Sequence, residues 1–315
     1  VTILNLNNFS TIFNEKNDSN FVKAKGNIFN TPFNITWKKN FQIKNQSDSI
    51  LNLPAINLEI DSILIEDLKN KENNFKTSAH FAGSKLDTKI NIKKDEITFS
   101  SIDGSNIFKN KLEYSGQINV NPFYFDTNIE ISEFNLSYLK IIDNYVDSLE
   151  PYSFLFNRNL NGKIAFKANK VKNKLFDEAN FIIEFKNGAI ELQDTKLISK
   201  HFGDLKIQKG RLFQDRGSTY LKFDILININ SQDKFYKKFQ VPIKYRKKLS
   251  TIRIAVEKNI SENSFEVTKF EVNSKKNDQK DLINSIISNY DLGKSDKITN
   301  WIELKKLFNE IIRIV

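Results

Sequence analysis

The 315-residue chain has no cysteine and no methionine, and only two histidines, five prolines and ten glycines. The missing cysteine removes disulfides, thiolate nucleophiles and every cysteine-based zinc or iron–sulfur site. His80 and His201 are too few for a histidine-rich metal centre, and each sits beside a phenylalanine in strand-like surroundings. The scattered glycines form no phosphate cradle: G-x-x-x-x-G-K-[ST] and G-x-G-x-x-G are both absent, as are the G-x-S-x-G elbow and H-E-x-x-H. No run reaches the roughly 18–20 apolar residues that a membrane-spanning helix needs, and the first residues lack the pattern of a signal peptide. A chain without even an initiator methionine is expected to be a segment of a longer protein, with any export or anchor segment upstream of Val1.

What is abundant is lysine, asparagine, isoleucine and phenylalanine. The net charge is +10, and 27 phenylalanines are present. Basicity ordinarily raises nucleic acid as a partner. Here arginine, the preferred reader of phosphate and base edges, is confined to positions 158, 211, 216, 246, 253 and 313. The enriched residues all have A/T-rich codons, so the bias reads as genomic, and no nucleic-acid partner is expected.

From Asn20 to Val272 the apolar residues recur with period two, the mark of strands with one buried face. Ile56-Asn57-Leu58-Glu59-Ile60, Lys89-Ile90-Asn91-Ile92-Lys93, Gln117-Ile118-Asn119-Val120 and Asn128-Ile129-Glu130-Ile131 all alternate. So do Lys163-Ile164-Ala165-Phe166-Lys167, Phe181-Ile182-Ile183-Glu184-Phe185 and the longer run through Phe223, Ile225 and Ile227. Turn signals at Asp103-Gly104, Asn161-Gly162 and Asn187-Gly188 divide the strands. Long crossovers are missing, so consecutive antiparallel pairing is expected. Helical spacing is found at Leu136 to Leu149, ahead of Pro151, and again at Asp281 to Tyr290 and Asn300 to Val315. The lysine- and asparagine-rich stretch 273–280 reads as a linker between a β domain, 1–272, and a helical segment, 281–315. Gly26 to Phe33 and Gly116 to Phe123 share G-x-I-x-x-x-P-F, which reads as a strand opened by glycine and closed at a proline-marked turn.

No constellation for catalysis emerges. Thirty-eight acidic residues supply carboxylate pairs at every spacing, so no pair singles itself out for glycosidase chemistry, and Asp215 alone does not make a calcium loop. The aromatic clusters Phe123-Tyr124-Phe125, Phe154-Leu155-Phe156 and Phe235-Tyr236 read as core packing. Lys237-Lys238, Arg246-Lys247-Lys248 and Lys275-Lys276 read most simply as solvated ends and edges that block strand-to-strand aggregation, with an anionic membrane surface as the alternative. The chain is therefore expected to be no enzyme and to need no cofactor or metal.

Leu112-Glu113-Tyr114-Ser115-Gly116-Gln117-Ile118-Asn119-Val120-Asn121-Pro122-Phe123 leads into a strand and a short helix ending at Leu149. Leu160-Asn161-Gly162-Lys163-Ile164-Ala165-Phe166 follows, and then Phe185-Lys186-Asn187-Gly188-Ala189-Ile190-Glu191-Leu192. In this order of motifs, over about a quarter of the chain, the sequence resembles the C-terminal region of the AsmA-like envelope proteins. The resemblance implies an elongated antiparallel sheet curled into a gutter, held in the periplasm and anchored in the inner membrane by a segment upstream of Val1. It further implies a role in phospholipid transfer or outer-membrane homeostasis.

An open gutter and a closed sandwich have the same alternation. If the sheet is open, the apolar phase of each strand lines a groove for acyl lipid: Ile90, Ile92, Ile118, Val120, Ile129, Ile131, Ile164, Phe166, Phe181, Ile183, Phe185, Phe223, Ile225 and Ile227. Each buried CH₂ would contribute about 0.8 kcal/mol, so no polar motif is needed. The partners then expected are a phospholipid or other acyl lipid and an inner or outer membrane surface. The alternatives are a closed β scaffold assisting outer-membrane assembly proteins through its edge strands, and a carbohydrate-active β protein.

Overall fold

A computed structural model describes residues 3–15, 18–41, 43, 46–67, 72–81, 84–107, 110–135, 153–172, 175–260, 262, 264–276, 279–289 and 301–314. The protein is mainly β, with antiparallel ladders and helices towards the C-terminus, as the alternation requires. The helix expected at Leu136 to Leu149 lies outside the described residues. Two compact units form, one drawn from Val1–Ser132, Asn144–Ile164 and Phe185–Gly188, the other from Glu133–Asp143, Ala165–Glu184 and Ala189–Val315.

The first unit is a meander. Its strands are β1 (Leu4–Asn14), β2 (Ser19–Ile28), β3 (Thr31–Asn40), β4 (Gln46–Leu53), β5 (Leu58–Asp67), β6 (Glu72–Phe81), β7 (Ser84–Lys93), β8 (Glu96–Ser101), the two-residue β9 (Asn106–Ile107), β10 (Asn110–Asn119) and β11 (Tyr124–Ile131). Each of β1 to β7 pairs antiparallel with the next, β8 passes the ladder to β10, and β10 to β11. Among the described residues this unit has no α-helix.

Glycine does a different job from the one its repeat implied. Gly26 and Gly116 lie inside β2 and β10 instead of opening them. A Cβ at Gly26 would strike the carbonyl of Asn5 on β1, and one at Gly116 would strike the ring of Phe99 and the carbonyl of Asp126. These positions lack a side chain because a neighbouring strand or ring occupies its space. At Asn187-Gly188 the turn is as expected, with φ of 52° and 80°.

The remaining strands are β12 (Phe134–Asn135), β13 (Gly162–Ala168), β14 (Val171–Lys172), β15 (Glu178–Lys186), β16 (Ala189–Ser199), β17 (Gly203–Asp215), β18 (Ser218–Ile229), β19 (Thr251–Asn259), β20 (Ser264–Val272) and β21 (Lys275–Lys276). Within the second unit β16 to β21 pair consecutively and antiparallel, while β12 and β14 form a small parallel pair. The ladder slips by one residue at Ile207/Lys209 and again at Ala255/Val256, and such bulges bend a strand and raise its twist. Three helices pack on one end of the ladder: α1 (Gln232–Phe239), α2 (Lys280–Asn289) and α3 (Trp301–Ile314). Their apolar stripes close a core of Phe202, Ile227, Ile252, Val267, Phe270, Phe235, Phe239, Ile283, Leu307 and Ile311. Asn284 accepts the Val267 N–H at 2.5 Å, tying α2 to β20. The stretch 273–280, read as a linker, holds a tight turn at Asn273-Ser274, the strand β21 and the first residue of α2.

Candidate functional site

Residues directly opposite each other in an antiparallel ladder share a face, so the registers sort the first unit's side chains without ambiguity. One row crosses the strands through Phe75, Ile90, Phe99, Gly116 and Thr127, and the next through Ile92, Ile97, Ile118 and Phe125. Further along the same strands lies a row of Ile35, Leu51, Ile60, Ala79 and Leu86. The other face is polar, with Lys76, Lys89, Asn91, Glu96, Thr98, Glu113 and Gln117.

The burial of the apolar face shows how far the described residues cover it. In a closed sandwich its side chains would be sealed. Here Ala24, Phe33, Leu112 and Ile131 are buried, while Ile35, Leu51, Ile60, Phe75, Ile90, Ile92, Ile97, Phe99, Ile118, Phe125 and Ile129 each keep part of their surface exposed. Aromatic rings occupy the space over two glycines. Phe99 covers Gly116, and Phe125 covers Gly162 on its way to Phe185, whose ring centre is 5.6 Å away. Such a surface is apolar over several adjacent rows.

A line of hydroxyls crosses it. Ser49, Ser62, Thr77, Thr88 and Ser101 stand in register on five successive strands. Tyr114 extends the line: its N–H donates to the Ser101 Oγ at 3.1 Å, and its hydroxyl meets the Thr88 Oγ1 at 2.5 Å and donates to the Asp87 carbonyl at 3.2 Å. Burial pushes the Tyr114 phenol above its ordinary pKa, so it stays a donor. On the polar face Ser78 donates to Asp87, and that bond is the main reason the Asp87 carboxyl is held below the usual carboxylate range.

The fourteen apolar positions drawn from the sequence divide clearly. Ile90, Ile92, Ile118, Ile129 and Ile131 share the first unit's face, but Ile131 is sealed at 1% exposure. Val120 lies past the end of β10, in a turn, and is 45% exposed. Ile164 and Phe185 also belong to the first unit and are half-buried. In the second unit Phe166 and Phe181 are half-buried with ring centres 5.6 Å apart, and Ile183 is half-buried as well. Phe223, Ile225 and Ile227 share a face with Val256, Ile254 and Ile252. Ile227 is inside the helix-covered core, Ile225 is half-buried and packs against that core, and Phe223 is half-buried further along the strand. Phe75, Ile97 and Phe99 were missed, although Glu96-Ile97-Thr98-Phe99-Ser100 alternates as plainly as its neighbours.

The opposite face of the second unit is laced with ion pairs. Arg253 grips Asp224 through two hydrogen bonds of 2.8 and 2.5 Å and reaches Glu271 at 3.9 Å, and Lys222 pairs with Glu257 at 2.8 Å. The Arg253 bonds are the largest cause of the lowered Asp224 pKa. These pairs are structural trimming of a solvated sheet face. Among the described residues no group of His, Asp and Glu gathers as metal ligands would, and no helix is long and apolar enough to cross a membrane. No family model matches the chain, and no curated protein matches it.

Proposed function

We propose that the chain binds lipid acyl chains on the apolar face of its first unit, as the periplasmic part of an AsmA-like envelope protein acting in phospholipid transfer or outer-membrane homeostasis. The observation that carries this reading is the partly exposed apolar face, with Ile90, Ile97, Phe99 and Ile118 in adjacent rows. Large apolar surface left in water marks an interaction site. A flexible hydrocarbon fits an apolar face with no charged partner, at about 0.8 kcal/mol per CH₂ covered. In the hydroxyl line, the half-buried Ser49 and Ser62 give ester or glycerol oxygens a place to bond. The resemblance in residues 112–197 supplies the envelope setting and the membrane anchor.

A second reading is a scaffold that assists outer-membrane assembly through strand addition. It is favoured by β1, eleven residues without a charge, in which Leu4, Leu6, Phe9, Ile12 and Phe13 are all more than half exposed. Mass spectrometry of the chain purified without detergent separates the two. Acyl lipid bound in near-stoichiometric amount is expected from the lipid reading, and a lipid-free chain would leave the scaffold.

A further inference from the structure

The net charge of the chain is concentrated in one place. Residues 232–249 and 301–314 carry ten basic and three acidic side chains, and so hold seven of the ten net positive charges. In the sequence these lysines read as solvated ends and edges, with an anionic membrane surface as the alternative. Lys237 and Lys238 end helix α1, and Arg246, Lys247 and Lys248 lie in the loop that follows it.

That loop is built and held. Arg246 Nε donates to the Val241 carbonyl at 2.9 Å, and the Tyr236 hydroxyl donates to the Lys247 carbonyl. Helix α3 lies beside it, with Asn309 donating to the Phe239 carbonyl at 2.6 Å and Lys305 to the Gln240 side chain at 2.6 Å. One turn beyond Asn309, Arg313 stacks over the Tyr245 ring at 5.3 Å, and Lys244 stands over the same ring at 4.9 Å. Between loop and helix is a hollow of about 260 Å³ lined, among the described residues, by Gln240, Pro242, Lys305, Lys306, Asn309 and Arg313, with Glu310 as the acid among them. At the crest of the loop Ile243 is 80% exposed.

An isoleucine held out into water by an ordered loop contributes nothing to folding. Next to Lys244 in the chain, on a loop that also carries Lys247 and Lys248 and meets Arg313 through the Tyr245 ring, it has the chemistry of a membrane-surface anchor, in which an apolar tip enters the acyl boundary while cations meet anionic headgroups. Nucleic acid would match the charge but offer the isoleucine no apolar medium. We infer that this face of the second unit docks on an anionic phospholipid surface, with Ile243 inserted and the hollow beside Arg313 receiving a headgroup phosphate.

The test is flotation of the full 315-residue chain with vesicles of phosphatidylcholine alone, or of phosphatidylcholine with one-third phosphatidylglycerol. The chain is expected to float with the anionic vesicles only, and less as salt rises. Ile243→Asp should weaken binding about fivefold or more without moving the unfolding temperature, because the side chain is exposed. Lys247→Gln should weaken it about fivefold, the equivalent of ~1 kcal/mol for one charge at such a surface. Equal flotation with neutral vesicles, no flotation at all, or an Ile243→Asp chain that floats like the parent would overturn the inference. Acyl-chain carriage is scored separately, by lipid recovered from the chain, so a chain that carries lipid without floating overturns docking alone, and a chain that floats empty overturns carriage alone.

Discussion

Ile118→Asp is expected to reduce the acyl lipid recovered with the chain to a tenth or less while the protein stays folded. Ile118 lies between Ile97 and Phe125 on the apolar face and is partly exposed. In the empty protein the new carboxylate would reach water, so the loss of stability should be about 1 kcal/mol, as for an ordinary point substitution. With an acyl chain laid over it, the same carboxylate would be stripped of water without a partner, at a cost of several kcal/mol. Gln117→Asp, on the polar face of the same strand, is the matched control and should leave loading unchanged. Lipid mass spectrometry and a thermal melt read the two effects. Equal loading in Ile118→Asp and the parent chain would mean that no lipid covers this row.

The converse prediction concerns the sealed part of the molecule. Phe270→Ala should lower stability by about 3–5 kcal/mol, the usual cost of emptying a buried phenylalanine site. Phe270 is 2% exposed, lies opposite Ile254 on β19, and belongs to the core that the helices close. The urea midpoint should fall sharply. A change below about 1 kcal/mol would show that the helices do not hold that end of the sheet closed. Together the two variants separate a face covered by the protein itself from a face left for something else, although both are written in the same alternating code.

That shared code explains what was legible in the sequence. Lys89-Ile90-Asn91-Ile92-Lys93 places a strand and divides its faces because the side-chain period is two whatever lies opposite. It does not say whether a helix, a sheet or a ligand covers the apolar side. Coverage follows from partners far along the chain, as when Leu307 and Ile311 of α3 join Ile227 and Ile252 in one core. The hydroxyl line was hidden for a related reason. Thr77, Thr88 and Ser101 occupy the same phase as the isoleucines, and only the registers bring them into one row. Gly26 and Gly116 were legible as punctuation but not as seats for Asn5 and Phe99, which come from neighbouring strands. Helix α1 escaped notice because its eight residues follow directly on the longest alternating run, and Phe235-Tyr236 reads equally well as strand. Its basic neighbours accordingly read as solvated ends and edges. Lys275 and Lys276 do lie in the short strand β21.

The most direct measurement compares the two faces of a single strand. A photo-reactive benzophenone side chain is placed at position 90 or at position 89 of β7, adjacent residues whose side chains leave opposite faces of the sheet. After irradiation of the chain in cells, acyl lipid should be cross-linked at position 90 and absent at position 89. Cross-linking at both positions alike, or at neither, would contradict an apolar face that carries lipid.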